Sequence, residues 1–103
     1  MTKVGEHITL DIIGTTHEYD PSVYESVIHK IAEAADVTIL NISKYKFEPQ
    51  GFTILALLAE SHISFHTFPE KGMISFDFFT CGKVKPSIAI DIIKKNFEHK
   101  RIV

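Results

Sequence analysis

The sequence predicts an α+β domain, a two-layer α/β sandwich in which an antiparallel sheet carries two helices on one face, in the order β-α-β-β-β-α-β. Three observations predict this fold class. Short segments alternate apolar and polar residues, as strands with one covered face do, and two longer segments carry apolar residues at helical spacing. The chain has 103 residues and contains no repeat, low-complexity tract or linker. One layered core is therefore expected, with residues 1–103 as a single domain.

A strand, a helix and a second strand are predicted in the first half of the chain. Residues 7–13 begin with apolar–polar alternation and end at Gly14, which indicates a strand. Asp20 and Pro21 then predict a helix start, because aspartate caps an orphan N–H and proline suits the first helical position. The β-branched and aromatic residues of 37–47 predict a strand whose alternation changes phase at Ile42. The apolar stripe of the helix consists of Val23, Val27, Ile28, Ile31 and Ala35.

An apolar run and a hairpin follow. The run at residues 52–59 predicts a strand buried on both faces, with a buried helix as the competing interpretation. Residues 61–68 and 73–80 predict a hairpin closed by the tight turn 69–72. This register pairs Phe68 with Met73 and brings Ser61 opposite Thr80, one residue from Cys81, so the Ser61 and Cys81 side chains are expected to meet. The aromatic residues expected in the core are Phe65, Phe76, Phe78 and Phe79.

The end of the chain predicts a second helix and a last strand. Pro86 opens the helix, and residues 101–103 have the composition of a strand beginning. The stripe of the helix consists of Ile88, Ala89, Ile92, Ile93 and Phe97.

Composition argues against several classes of function. The formal net charge is −2 and the pI is near 6.3, so no basic field exists to hold nucleic acid. The apolar run at 52–59 is far shorter than the roughly 20 residues a membrane span requires, and the N-terminus lacks a signal-peptide core. Cys81 is the single cysteine and cannot form an internal disulfide. A cytoplasmic protein without membrane or nucleic-acid partners is expected.

Polar residues stand where a simple core strand would carry valine or isoleucine, so they either face water or act together. A serine, a histidine and a cysteine close in space suit nucleophilic or acid–base catalysis. A metal site is not predicted, because His62 and His66 on one strand are separated by roughly 13 Å. The polar positions are Glu60, Ser61, His62, Ser64, His66 and Cys81.

The amino-acid sequence of residues 51–82 resembles that of the small prokaryotic S-adenosylmethionine decarboxylases, which are pyruvoyl enzymes of polyamine synthesis. The resemblance is densest at residues 58–70 and 79–82, where Glu-Ser-His, His-Thr-Phe-Pro-Glu and Thr-Cys-Gly occur in the family's order and spacing. Weaker echoes lie at residues 4–7 and 99–102.

The resemblance implies a self-processing enzyme. Ser61 would attack the Glu60 carbonyl, cleaving the chain into a β chain 1–60 and an α chain 61–103. Ser61 would become the pyruvoyl cofactor that forms a Schiff base with the substrate. The implied substrate is S-adenosylmethionine, the product supplies aminopropyl groups for spermidine synthesis, and the protomers pair as homodimers.

The resemblance also implies individual roles. His66 would accept the proton whose loss completes processing, Cys81 would return a proton to the substrate, and Thr53 stands where a serine usually assists processing. Phe47 would stack on adenine, and Glu70 would hold the ribose hydroxyls. In the substrate wall, Phe68 replaces the usual tryptophan. A pyruvoyl-dependent L-ornithine or L-arginine decarboxylase on the same scaffold, or an unprocessed, non-catalytic dimerising homologue, remain alternatives.

Overall fold

The sheet and its helices are seen in a computed structural model that describes residues 5–16, 18–81 and 84–103. Within these ranges, an antiparallel sheet of six strands accompanies two α helices, which confirms the predicted fold class. Four strands lie between the helices and correspond to the four predicted segments, so the predicted order β-α-β-β-β-α-β counts one strand too few. The strands are β1 (Gly5–Ile13), β2 (Ile39–Lys46), β3 (Phe52–Leu58), β4 (Ser61–Phe68), β5 (Met73–Cys81) and β6 (Arg101–Ile102), and the helices are α1 (Pro21–Ala35) and α2 (Ile88–Asn96).

The strand order across the sheet is β2-β3-β4-β5-β1-β6, so β1 lies between two strands from the C-terminal half of the chain. The predicted β4–β5 register is confirmed, since Phe68 lies opposite Met73. A single 3₁₀ turn at Pro69–Lys71 closes this hairpin, and Gly72 follows it with a φ of 60°, a left-handed value that glycine adopts without strain. The phase change predicted in β2 corresponds to a register shift between Ile39 and Asn41.

Helix α1 begins as predicted, with Pro21 in its first turn and the Asp20 carboxylate accepting a hydrogen bond from the Ser22 N–H. Helix α2 begins at Ile88, two residues after Pro86, and buries Ala89 and Ile93. The buried residues of α1 are Tyr24, Val27, Ile28, Ile31, Ala32 and Ala35, so Tyr24 and Ala32 widen the predicted stripe. Among the described residues, no helix is long and apolar enough to cross a membrane.

Both helices pack on one face of the sheet, and the other face, here called the open face, is uncovered. Phe65, Phe76 and Phe78 lie in the core as predicted. Phe79 does not, because β5 alternates and its odd-numbered residues point to the open face. There the Phe79 ring lies parallel to His62, with centroids 5.9 Å apart.

The prediction that β3 is buried on both faces is wrong. Its residues alternate between buried and exposed, and Leu55 and Leu57 remain 46% and 54% exposed on the open face. The helices cover only one side of the sheet, so half of this apolar strand has no covering layer within the chain.

Tyr24 provides a pH test of this core. Its ring contacts Phe52, Phe65 and Phe97 and is 2% exposed, and burial raises the pKa of its phenol from 10.0 to about 12. Between these two values the unfolded chain loses a proton that the folded chain keeps, so the free energy of unfolding should fall as pH rises from 10 to 12. Denaturant titrations should show that decline, flatter in Tyr24→Phe. Tyr45→Phe, at a 66% exposed position, should leave the slope unchanged.

Candidate active site

The polar residues of β4 that face the open side are His62, Ser64 and His66, in agreement with strand alternation. Half of their neighbours across the sheet are also polar, since His66 lies opposite Thr53 and Ser75, and Ser64 lies opposite Asp77. The other three neighbours are Leu55, Leu57 and Phe79. The predicted site residues fall into two groups at opposite ends of β4. One group surrounds the β3–β4 turn, and the other lines a cleft near the β4–β5 turn.

The β3–β4 turn consists of two residues, Ala59 and Glu60, because Leu58 pairs directly with Ser61. Glu60 has a φ of 62°. A left-handed conformation costs a residue with a Cβ roughly 1–2 kcal/mol. The Glu60–Ser61 bond therefore follows a strained residue at the tip of a tight hairpin. Ser61 itself is buried, with 8% of its surface exposed.

Cys81 ends β5 and lies opposite Gly5, partly buried. The observed β4–β5 register ends at His62 opposite Phe79, and its extension by one residue would place Ser61 opposite Thr80. Thr80 and Ser61 occupy positions on the helix-covered face, whereas Cys81 occupies an open-face position. Ser61 and Cys81 are thus neighbours along the same sheet end, but strand alternation directs their side chains to different faces of the uncut chain, which differs from the expected meeting. The motif residue Gly82, and Val4 of the weaker echo, lie outside the described residues.

The second group lines a cleft of about 300 Å³. Five of the predicted site residues meet there, together with Gln50, Gly51 and Thr67. A hydrogen bond of 3.0 Å joins Thr53 Oγ1 and His66 Nδ1, and the Gln50 amide donates to Glu70 Oε2 at 3.2 Å. Gln50 was not predicted, because nothing in the turn sequence 48–51 distinguishes a cleft residue from a solvated one. The predicted residues in the cleft are Phe47, Thr53, His66, Phe68 and Glu70.

The loop between β2 and β3 shapes one wall of this cleft. The Phe47 N–H donates to the Gly51 carbonyl at 2.8 Å, and Gly51 has a φ of 105°. That conformation is open to glycine and strained for other residues. It keeps the Phe47 ring, which is 47% exposed, beside the cleft mouth.

The two groups do not meet within one chain. Ser61 and His66 are five residues apart on a continuous strand, which separates their Cα atoms by roughly 17 Å. Their side chains also occupy opposite faces by alternation. The hydroxyl that hydrogen-bonds to His66 is that of Thr53, and the thiol of Cys81 lies at the Ser61 end.

A third cluster lies on the open face between the two groups and was missed by sequence analysis. Asp77 Oδ2 is 2.7 Å from His7 Nε2 and 3.1 Å from His62 Nε2, and the Ser64 hydroxyl donates to Asp77 Oδ1. Burial raises the pKa of Asp77, but hydrogen bonds from Ser64, His7 and His62 outweigh it, so the pKa of this carboxyl lies below its usual range. The pairing of β1 with β5 creates this cluster. Strand alternation in the predicted β4–β5 hairpin could have placed His62 and Asp77 on the same face. Nothing in the local sequence indicates that His7 joins them.

A family model described as "S-adenosylmethionine decarboxylase" matches residues 6–103. The chain therefore belongs to the S-adenosylmethionine decarboxylase family. It is 42% identical to S-adenosylmethionine decarboxylase proenzyme 2 of Bacillus cereus, over 92% of this chain and 83% of the relative. It is 40% identical to the proenzyme of Prochlorococcus marinus, over 94% of this chain and 80% of the relative.

Solved structures agree with this assignment. The crystal structure of the adenosylmethionine decarboxylase from Aquifex aeolicus superposes with a TM-score of 0.79 at 32% identity, covering 100% of this chain and 88% of that one. A Trypanosoma brucei AdoMetDC monomer has a TM-score of 0.65 at 15% identity, covering 96% of this chain and 44% of that one, which shows a shared fold.

Proposed function

We propose that this protein is a self-processing, pyruvoyl-dependent decarboxylase that converts S-adenosylmethionine into the decarboxylated aminopropyl donor of spermidine synthesis. The observation that carries the proposal is the Glu60–Ser61 bond, which follows a left-handed residue in a two-residue turn of a chain belonging to this family. The left-handed conformation of Glu60 stores strain next to the carbonyl that Ser61 would attack, which favours conversion of the amide into an ester.

The residues around this bond fit the formation of a pyruvoyl group. The Ser61 hydroxyl attacks the Glu60 carbonyl carbon, the C–N bond breaks, and the Ser61 nitrogen takes up the proton. A base then removes the Ser61 α-proton while the Glu60 carboxylate leaves, and hydrolysis of the resulting dehydroalanine releases ammonia. The products are the β chain 1–60 and an α chain 61–103 that begins with the ketone. This ketone supplies the electron sink that decarboxylation requires.

If His66 is the base that acts on Ser61, the histidine must come from a second copy of the chain. Within one chain they are separated by roughly 17 Å along β4. We propose a homodimer in which the two open faces pack together about a two-fold axis near Ser64, the middle of β4. The Ser61 end of each β4 then lies across the interface from the partner's His66. Leu55 and Leu57, half exposed on this face, supply apolar surface for such packing.

The cleft supports the choice of substrate. Phe47 offers an exposed aromatic face for adenine, and the Glu70 carboxylate can accept hydrogen bonds from both hydroxyls of a ribose. Gln50 already donates to Glu70, which orients its carboxylate toward the cleft residues. Phe68, at the same cleft, gives the wall an apolar surface beside Glu70.

The function is tested by intact mass measurement and by assay. Under denaturing conditions, two fragments that divide between Glu60 and Ser61 are expected, with a borohydride-reducible ketone on the C-terminal one. Release of CO₂ from S-adenosylmethionine should exceed release from L-ornithine and L-arginine. An uncut, inactive chain, or a preference for either amino acid, would contradict the proposal.

The shared site is tested by co-expression of two inactive chains. His66→Ala alone and Ser61→Ala alone are each expected to stay uncut. When they are mixed in one dimer, the Ser61 of the first chain faces the His66 of the second, so the His66→Ala chain should be cleaved. Differently tagged chains identify which one is cut by mass.

The matched control replaces the Ser61→Ala partner with the double variant Ser61→Ala/His66→Ala, which offers no histidine. No cleavage is expected in that mixture. A His66→Ala chain that stays uncut in tag-purified mixed dimers would refute the shared site, and one that is cut alone would refute the role of His66.

Cys81 is expected to act after processing, as the group that returns a proton to the substrate α-carbon. Cys81→Ala should therefore still be cleaved, while its kcat falls by about 10²-fold or more, the usual cost of losing a positioned acid. Single-turnover assays with mass analysis of the product check this. A normal kcat would exclude the thiol as proton donor.

A further inference from the structure

We propose that His7, His62 and Asp77 form a binding site for a transition metal ion of the Zn²⁺ type on the open face of the sheet. The three side chains come from β1, β4 and β5, which the sheet order makes adjacent. None of them has a part in the processing or decarboxylation steps proposed above. The sequence predicts no metal site, but that prediction considers only the distance between His62 and His66 and not the pairing of His62 with His7 and Asp77.

The ligand atoms converge. His7 and His62 both present Nε2 to the same carboxylate oxygen, Asp77 Oδ2, at 2.7 and 3.1 Å, and all three atoms lie within 4.8 Å of one another. In a tetrahedral Zn²⁺ site with bonds of about 2.0–2.1 Å, ligand atoms are roughly 3.3 Å apart. The two contacts with Asp77 would therefore lengthen by about 0.2–0.6 Å, and the two imidazole nitrogens, which lie within 4.8 Å of each other, would approach by up to about 1.5 Å.

The surroundings orient these ligands. The Ser64 hydroxyl donates to Asp77 Oδ1, which leaves Oδ2 directed at the two imidazoles. The Phe79 ring is stacked against His62 and meets His7 edge-on, so it restricts both rings. Such outer contacts are typical of metal sites, because they fix the direction of the ligating atoms.

The site is accessible and chemically selective. In the single chain the His7 and His62 side chains are 48% and 39% exposed, and Asp77 is 23% exposed, so an ion can enter from solvent before the two open faces pack in the proposed dimer. Two imidazoles with one carboxylate favour Zn²⁺ and similar ions over Mg²⁺ or Ca²⁺, which prefer oxygen ligands. Three protein ligands leave a fourth position for water. Because His62 directly follows Ser61, a bound ion would hold the residue next to the scissile bond.

The test is a titration of the purified, metal-free protein with Co²⁺, followed by displacement with Zn²⁺. One ion per chain is expected, with a visible absorption band typical of low-coordinate cobalt. His7→Gln and Asp77→Asn should abolish that band. Ser64→Ala, which removes only the orienting hydroxyl, should weaken binding by about 10–100-fold.

Matched controls are His29→Gln and Asp91→Asn, which remove an exposed histidine and an exposed acid from the helices and should leave binding unchanged. Circular dichroism of each variant checks its fold, and His7→Gln leaves the His62–Asp77 contact in place. Binding of no stoichiometric ion by the parent protein, or equal binding by folded His7→Gln, would overturn the proposal. The assay needs neither processing nor substrate, so it stands or falls separately from the decarboxylase function.

Discussion

Replacing Ser61 with alanine is expected to leave the chain uncut at 11.7 kDa and to abolish decarboxylation completely. No hydroxyl remains to attack the Glu60 carbonyl, and no ketone can then form at the start of an α chain. The residue is small and 8% exposed, so removal of one oxygen should leave the hairpin intact. Intact mass under denaturing conditions and CO₂ release measure the two losses.

The matched control for Ser61→Ala is Ser43→Ala, which removes an exposed serine hydroxyl from β2 of the same sheet. It should be processed at the parent rate. Fragments of normal mass from Ser61→Ala would show that the scissile bond lies elsewhere. A complementary variant, Glu60→Gly, relieves the left-handed strain at φ 62° and is expected to slow cleavage without blocking it.

Truncation of Phe65 to alanine should cost about 3–5 kcal/mol of unfolding free energy, the largest stability effect expected for a single core residue here. The side chain is 0% exposed and its ring contacts Tyr24, Phe76 and Phe97 at centroid distances of 5.0–5.6 Å. Three aromatic neighbours from different elements cannot all collapse into the cavity. Urea denaturation in the uncut Ser61→Ala background, with both proteins at the same concentration, measures the change without a separate second fragment.

Phe47→Ala in the same background is the control, because it removes the same side chain from a position that is 47% exposed. We expect a loss of about 1 kcal/mol or less at this site. Equal losses at the two positions would contradict the core assignment of Phe65.

Local chemistry made much of the fold predictable. The Asp20 cap and Pro21 determine where α1 begins, and a four-residue turn determines the β4–β5 register, so both were correct from sequence. The errors arose where burial depends on distant layers. An apolar run such as β3 looks the same whether one face or both are covered. The aromatic character of Phe79 predicts a core position, whereas alternation along β5 places it on the open face.

The site was predictable to a similar extent. Phe47, Thr53, His66, Phe68 and Glu70 were identified through resemblance, and they line one cleft. Their separation from Ser61 follows from the rise per residue along a strand. It was not predicted, because residues that are only a few positions apart in a motif can lie at opposite ends of a strand. Asp77 and His7 depend on the β1–β5 pairing, which joins residues 70 positions apart and has no local signal.

The position of β1 between β5 and β6 determines how the two fragments of a cut protein would share the sheet. Cleavage after Glu60 would leave β1 in one polypeptide, held on both sides by strands of the other. The two products are interleaved, and neither retains a complete sheet. The folding of each protomer would then require two polypeptides instead of one, which adds a further dependence of the unfolding midpoint on protein concentration. Refolding from separated fragments would thus be more difficult than folding of the uncut chain. We therefore expect the sheet to form in the uncut precursor, before processing.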